Sequence, residues 1–335
     1  MQDICMLFQG RKPHPAHQSF GDAVGAVYRH FETGEKPPIT EEKESIKSRI
    51  KTGISSEECD IVIAEGTAPL QTLLAYKVRH PMTTAIYLAA DETFYTLPER
   101  PTHYLWKLLG PIANRLLDGV IAVGRDVYNW ARPYLGSLPV KYVHPPINDD
   151  KYDRLRSLEP QSPQRPFTIL SVGVAKPANG YENLIPAVER LAGHTDIDIR
   201  VIILGKGHSE ESYADSSVVE LPGFVDLDTF IDCFSEASIY VQPSIGDAFP
   251  VATLEAILSG TPVLVTESVG VRELLEDAQV VDPSPNGLYS GIKRFFEMDT
   301  TVRRKLGSEQ RELTKGFTES SQQERFREAV IDIHN

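Results

Sequence analysis

Short, almost continuously apolar runs recur along the chain, separated by stretches with one polar face. The first half holds ICMLF (4–8), DIVIA (60–64), TAIYL (84–88), GVIAV (119–123) and VKYV (140–143). The second holds FTILSV (167–172), RVIIL (200–204), IYV (239–241) and PVLVT (262–266). Continuous rather than alternating apolarity is what strands covered on both faces require. Helical spacing between them predicts helices over 26–31, 40–51 with Thr40 as N-cap, 70–78, 103–117, 126–135, 182–191 and 322–333. The alternation predicts two α/β domains, each a doubly wound parallel sheet. The charged, proline-containing stretch 149–166 has linker composition. The expected partition is therefore a first domain over 1–150, a linker over 151–166, a second domain over 167–320 and a terminal helix over 321–335.

One stretch, 238–270, carries the most chemistry. Its helix lies between Pro250 and Gly260, residues favoured at a helix start and just past a helix end. Val251, Leu254 and Leu258 form its core-facing stripe, and Glu255 is its only charge. A carboxylate on so apolar a helix needs hydrogen-bond donors, and sugar or ribose hydroxyls would serve. Asp247 lies in the preceding loop, at the carboxyl end of a strand, where open α/β sheets bind ligands. The amides of Ala248, Phe249 and Val251 stand at the positive end of the helix dipole, suited to a diphosphate. These positions together point to a nucleotide-sugar site; the bland alternative is a helix cap at Asp247 and an internal ion pair at Glu255.

The composition, 41% hydrophobic and 24% charged over 335 residues, is that of an ordinary globular chain. A net charge of −13 opposes nucleic-acid binding. Cys5, Cys59 and Cys233 are odd in number and widely spaced, which predicts reduced thiols and a cytoplasmic location. No apolar run has the length of a membrane span. The helical stretch 103–117, HYLWKLLGPIANRLL, suits a bilayer interface, although leucines at that spacing also suit a core.

Asp247, Phe249, Glu255, Ala256, Gly260, Pro262 and Val263 resemble the donor-site signature of glycosyltransferase family 4, whose fold is GT-B. The pattern there is two acids separated by seven residues, then Gly-x-Pro-Val; Asp247 stands for the usual Glu and Pro250 for a common Gly. The resemblance implies two Rossmann-like domains with a cleft between them and a terminal helix crossing back to the first. It further implies retaining, metal-independent transfer of a sugar from a nucleotide diphosphate donor to a glycan or lipid-linked acceptor. No cofactor is implied, since the nucleotide sugar is a substrate. Asp247 would orient the donor sugar, Glu255 would bind ribose, and Ala248, Phe249, Pro250 and Val251 would hold the diphosphate.

By the same resemblance, Gly173 and Gly205 belong to turns of the donor domain, and Phe224 and Val225 would read the base. Two family cations are replaced by Val174 and Asn179, leaving Lys176 as the cation of that loop. Where the family often has a catalytic histidine, this chain offers Asp91 or Glu92, of which Asp91 is the expected catalytic group. Arg11, Lys12 and His17, in the loop after the first strand, are either an acceptor-phosphate contact or a solvated loop. A peripheral membrane contact is a further expectation. The competing function is a degenerate GT-B binding or partner subunit, and an epimerase on the same fold is a third.

Overall fold

The computed structural model describes residues 3–10, 12–32, 36–37, 59–100, 102–163 and 165–335. The chain forms two units, Met1–Pro146 with Glu319–Asn335, and Ile147–Thr318.

Unit 1 is built on six parallel strands: β1 Ile4–Phe8, β2 Val27–His30, β3 Ile61–Glu65, β4 Thr84–Ala89, β5 Gly119–Ala122 and β6 Val140–Tyr142. They run in the order β2-β1-β3-β4-β5-β6. The inner strands β1, β3, β4 and β5 are buried almost throughout, as their continuous apolarity requires, while the edge strands β2 and β6 are partly exposed. Two local expectations change. The helix near the N-terminus is Pro15–Ala23, with Pro15 in its first turn, and residues 27–30 are a strand instead of the helix expected over 26–31. Gly25, at φ +65°, turns the chain between them, and Val27 and Tyr28 then pair in parallel with Cys5 and Met6. The helix expected over 40–51 lies outside the described residues.

Cys5 and Cys59 form a disulfide, with their Cα atoms 6.2 Å apart. The expectation of reduced thiols is therefore corrected for these two, and with it goes the cysteine argument for a reducing compartment. The cause is topological: β1 lies directly beside β3, which brings together residues far apart in sequence. Among the described residues, no helix is long and apolar enough to cross a membrane.

Unit 2 contains β7 Phe167–Val172, β8 Ile199–Leu204, β9 Val219–Gly223, β10 Ile239–Gln242, β11 Val263–Thr266 and β12 Val280–Val281. Their order is β12-β11-β10-β7-β8-β9, all parallel. The strand order reverses between β7 and β10, which opens a crevice at their carboxyl ends. Phe167, Ile169, Val201, Ile239 and Val241 lie in its core beneath the helix Tyr181–Ala192 and the helix Pro285–Glu297. The stretch read as linker begins with a helix, Asp149–Ser157, that belongs to this unit. Tyr152 and Leu155 are its buried pair, with acids in the first turn and arginines in the last, as the helix dipole favours.

Candidate active site

A cavity of about 550 Å³ opens at the carboxyl ends of β7, β8 and β9. It is lined by Val172, Gly173 and Val174 after β7, Leu204, Gly205 and Lys206 after β8, and Gly223 to Leu227 after β9. Lys151, Phe230 and Glu255 close its remaining wall. Five of the positions singled out from sequence, Gly173, Gly205, Phe224, Val225 and Glu255, thus meet around one space.

The first two loops touch backbone to backbone. Gly205 has φ +146°, and a Cβ there would stand 1.8 Å from the carbonyl oxygen of Gly173, so only glycine fits. His208 Nε2–H donates to that same carbonyl at 2.8 Å, which leaves Nδ1 to accept from the Tyr213 hydroxyl at 2.7 Å. Asn179 is buried, and its Nδ2 donates to the carbonyl of Val174 at 2.7 Å. A neutral amide thus ties the loop to itself.

Glu255 projects from the helix Val251–Ser259 and is 4% exposed. Burial pushes its carboxyl above the ordinary range, and the ammonium of Lys151, 2.8 Å away, pulls it back down. Lys151 Nζ also lies 4.5 Å from the ring centroid of Phe230. Both helices are fastened by Arg311, which donates to Arg156 O at 3.2 Å, Leu158 O at 2.7 Å and Ser259 O. The carboxylate is ionisable, already paired and faces the cavity, able to exchange a lysine for ribose-type hydroxyls.

The loop before this helix is set by a buried polar chain. Tyr240 and Thr253 hydroxyls donate to Gln242 Oε1 at 2.6 and 3.3 Å, and Gln242 Nε2 donates to Ser244 Oγ at 2.8 Å. Asp247 sits on the loop's rim, its backbone paired with Ser268 and Gly270 at 3.1 and 2.9 Å. Ala248 and Phe249 are buried, and Pro250 and Val251 are half-buried at the helix start, which no side chain caps. Lys176 lines a separate shallow depression with Pro177, Tyr181, Glu182, Glu211 and Tyr213 instead of the main cavity.

In unit 1, Asp91 accepts from Thr67 N at 2.5 Å, Thr67 Oγ1 at 2.9 Å and Thr93 N at 3.1 Å. Its oxygens are engaged in fixing the start of the helix Thr67–Arg79. His17 Nδ1 lies 2.7 Å from Glu65 Oε1, both side chains nearly buried, with Glu65 Oε2 buried and without a hydrogen-bond partner. Lys12 is exposed, and Arg11 lies outside the described residues. Among the described residues, no group of three or more His, Cys, Asp or Glu side chains forms a metal cage.

Sequence reading missed Lys151, Lys206, Phe230, His208 and Glu65 as neighbours of the expected sites. Only the Tyr152/Leu155 spacing, which marks a helix under Lys151, carried a signal for any of them.

Residues 157–313 match the family described as Glycosyl transferases group 1. Over those residues, just under half of its length, this chain is similar to the group 1 glycosyltransferases. It is 25% identical over 250 residues to a phosphatidyl-myo-inositol mannosyltransferase of Mycobacterium leprae, covering 72% of this chain and 64% of that one. It is 29% identical over 157 residues to the putative colanic acid biosynthesis glycosyltransferase WcaL of Escherichia coli K12, covering 42% of this chain and 38% of that one. The matches thus span less than two thirds of either relative's length. Among solved structures, Anabaena Alr3699/HepE in complex with UDP and glucose superposes with a TM-score of 0.73 at 17% identity, over 99% of this chain and 100% of that one. The fold is GT-B. The chain carries acids at 247 and 255 and the uncharged residues Val174 and Asn179 in the loop after β7.

Proposed function

We propose that this chain transfers a glycosyl group from a nucleotide diphosphate sugar to a glycan or lipid-linked acceptor, with retention and without an essential metal or cofactor. The observation that carries this reading is Glu255 facing the cavity that Gly173, Gly205, Phe224 and Val225 also line. In it the base lies along Phe224 and Val225, the ribose hydroxyls donate to Glu255, and the diphosphate meets the uncapped start of the helix Val251–Ser259. Asp247 orients the sugar. Stabilisation of the leaving diphosphate by amides and dipole supplies the main rate term, since preorganised donors of this kind act without reorganisation.

The reading gives Asp91 no catalytic part, because its oxygens are taken up by Thr67 and Thr93. It keeps His17, with Lys12, on the acceptor side. The replacement of both loop cations favours a second reading, a binding or partner subunit without turnover.

A donor screen across UDP-, GDP-, ADP- and dTDP-sugars, with glycan and lipid-phosphate acceptors, separates the two. Donor-dependent nucleotide release that EDTA leaves unchanged and Asp247→Ala abolishes is the expected result. Binding without release supports the subunit, and no binding to any donor refutes the site.

A further inference from the structure

The helix His103–Leu116 carries large apolar side chains on its outward face as well as its inward one. Inward, Trp106, Gly110 and Ala113 are buried. Gly110 packs so closely that a Cβ would stand 1.8 Å from Tyr134 O, and Trp106 meets Phe94 edge-on at 5.1 Å. These contacts fix which way the helix faces. Outward, Tyr104, Leu105, Leu108 and Ile112 are 74, 49, 74 and 50% exposed. At 3.6 residues per turn they fall within an arc of about 100°.

The charge pattern on this helix is one-sided. Lys107 is exposed beside the apolar arc and Arg115 within it; residues 100–117 hold Arg100 as a further cation and no acid, with Glu99 and the Lys77-paired Asp118 just outside them. This stands out on a chain whose net charge is −13. A soluble surface helix puts charge, not leucine, on its outer face. Apolar side chains flanked by Lys and Arg fit the boundary between acyl chains and anionic headgroups, where both attractions act together. A negatively charged protein would be repelled from an anionic membrane everywhere except at such a patch.

We propose that this helix docks unit 1 on an anionic lipid surface, with Tyr104, Leu108 and Ile112 entering the headgroup boundary and Lys107 and Arg115 pairing with lipid phosphates. The site is separate from the donor cavity, though its use in the cell rests on the acceptor being lipid-linked.

The test is cosedimentation of the full chain with vesicles of phosphatidylcholine alone and of phosphatidylcholine mixed with phosphatidylglycerol. Binding to the mixed vesicles, weakened by added salt, is expected. Leu108→Ser with Ile112→Ser should lower it roughly tenfold or more, and Lys107→Glu with Arg115→Glu should make it insensitive to phosphatidylglycerol. All four positions are exposed, so the variants should retain the parent circular dichroism. Equal binding to both vesicles, no binding, or a concentration-dependent dimer dissolved by Leu108→Ser without vesicle binding would each overturn the proposal. Nucleotide binding measured on the same samples reports independently on the donor site: loss of vesicle binding with intact nucleotide binding sinks only this inference, and the converse sinks only the other.

Discussion

Glu255 is held between two opposed influences, burial raising its pKa and Lys151 lowering it. A carboxyl with a raised folded pKa contributes stability below the ordinary glutamate value of about 4.3, and loses it as pH rises through the folded value. For ligand binding the sign is reversed, because in the proposed site the ribose hydroxyls donate to the ionised form. Nucleotide affinity should therefore fall as pH drops through the raised pKa of Glu255. Lys151→Met removes the lowering influence, so the fall should begin at higher pH. Glu255→Gln should itself cost about 1.5–3 kcal/mol of nucleotide affinity, since a hydrogen bond to a charged group is lost. Calorimetric titration with a nucleoside diphosphate across pH measures both, and identical profiles for parent and Lys151→Met would rule out the pairing. Gly205→Ala should act through the backbone. With φ at +146° and the Gly173 carbonyl in the way, it should cost about 2–3 kcal/mol of unit 2 stability, read as a lower denaturant midpoint.

Arg311 acts between elements. Its guanidinium takes the C-terminal carbonyls of the helix bearing Glu255 and of the helix bearing Lys151. Arg311→Met leaves those part-buried acceptors bare, and a loss of about 2–3 kcal/mol is expected, with weaker nucleotide binding. Wild-type binding in a destabilised variant would separate its fastening role from the site. The helix at 251–259 was legible because Pro250, Gly260 and an apolar stripe specify it locally. The buried strands were legible for the same reason, their continuous hydrophobicity being a local property. What escaped sequence reading is what depends on distant residues. Lys151 and Glu255 are 104 positions apart, and Cys5 meets Cys59 only because β1 and β3 are neighbours. Asp91 has the residue type and strand-end position of a catalytic group, and that Thr67, across β3 and β4, donates to its oxygens is not a local property of the sequence. The outward leucines at 105 and 108 have core spacing, and only the packing of Gly110 shows which face is inside.

At the scale of the molecule, unit 1 is discontinuous, with the helix Glu319–His334 completing it. Phe326 stacks on Phe20 at 4.7 Å, Arg327 Nε donates to Ala23 O at 3.1 Å, and Lys141 pairs with Asp332 at 2.6 Å. Removing residues 319–335 should therefore unfold or loosen unit 1 while leaving unit 2 with the denaturant midpoint of an isolated 147–318 fragment. A single shared loss in both would contradict the division. This wiring also sets an order of events during synthesis. While the ribosome makes residues 147–318, the sheet β1–β6 waits with the surface around Phe20 uncovered, for roughly ten to thirty seconds at about 5–20 residues per second. Unit 2, begun later, has its whole sequence first. The usual order of domain folding from the N-terminus is reversed here, and a nascent-chain protease assay should find unit 2 protected before unit 1.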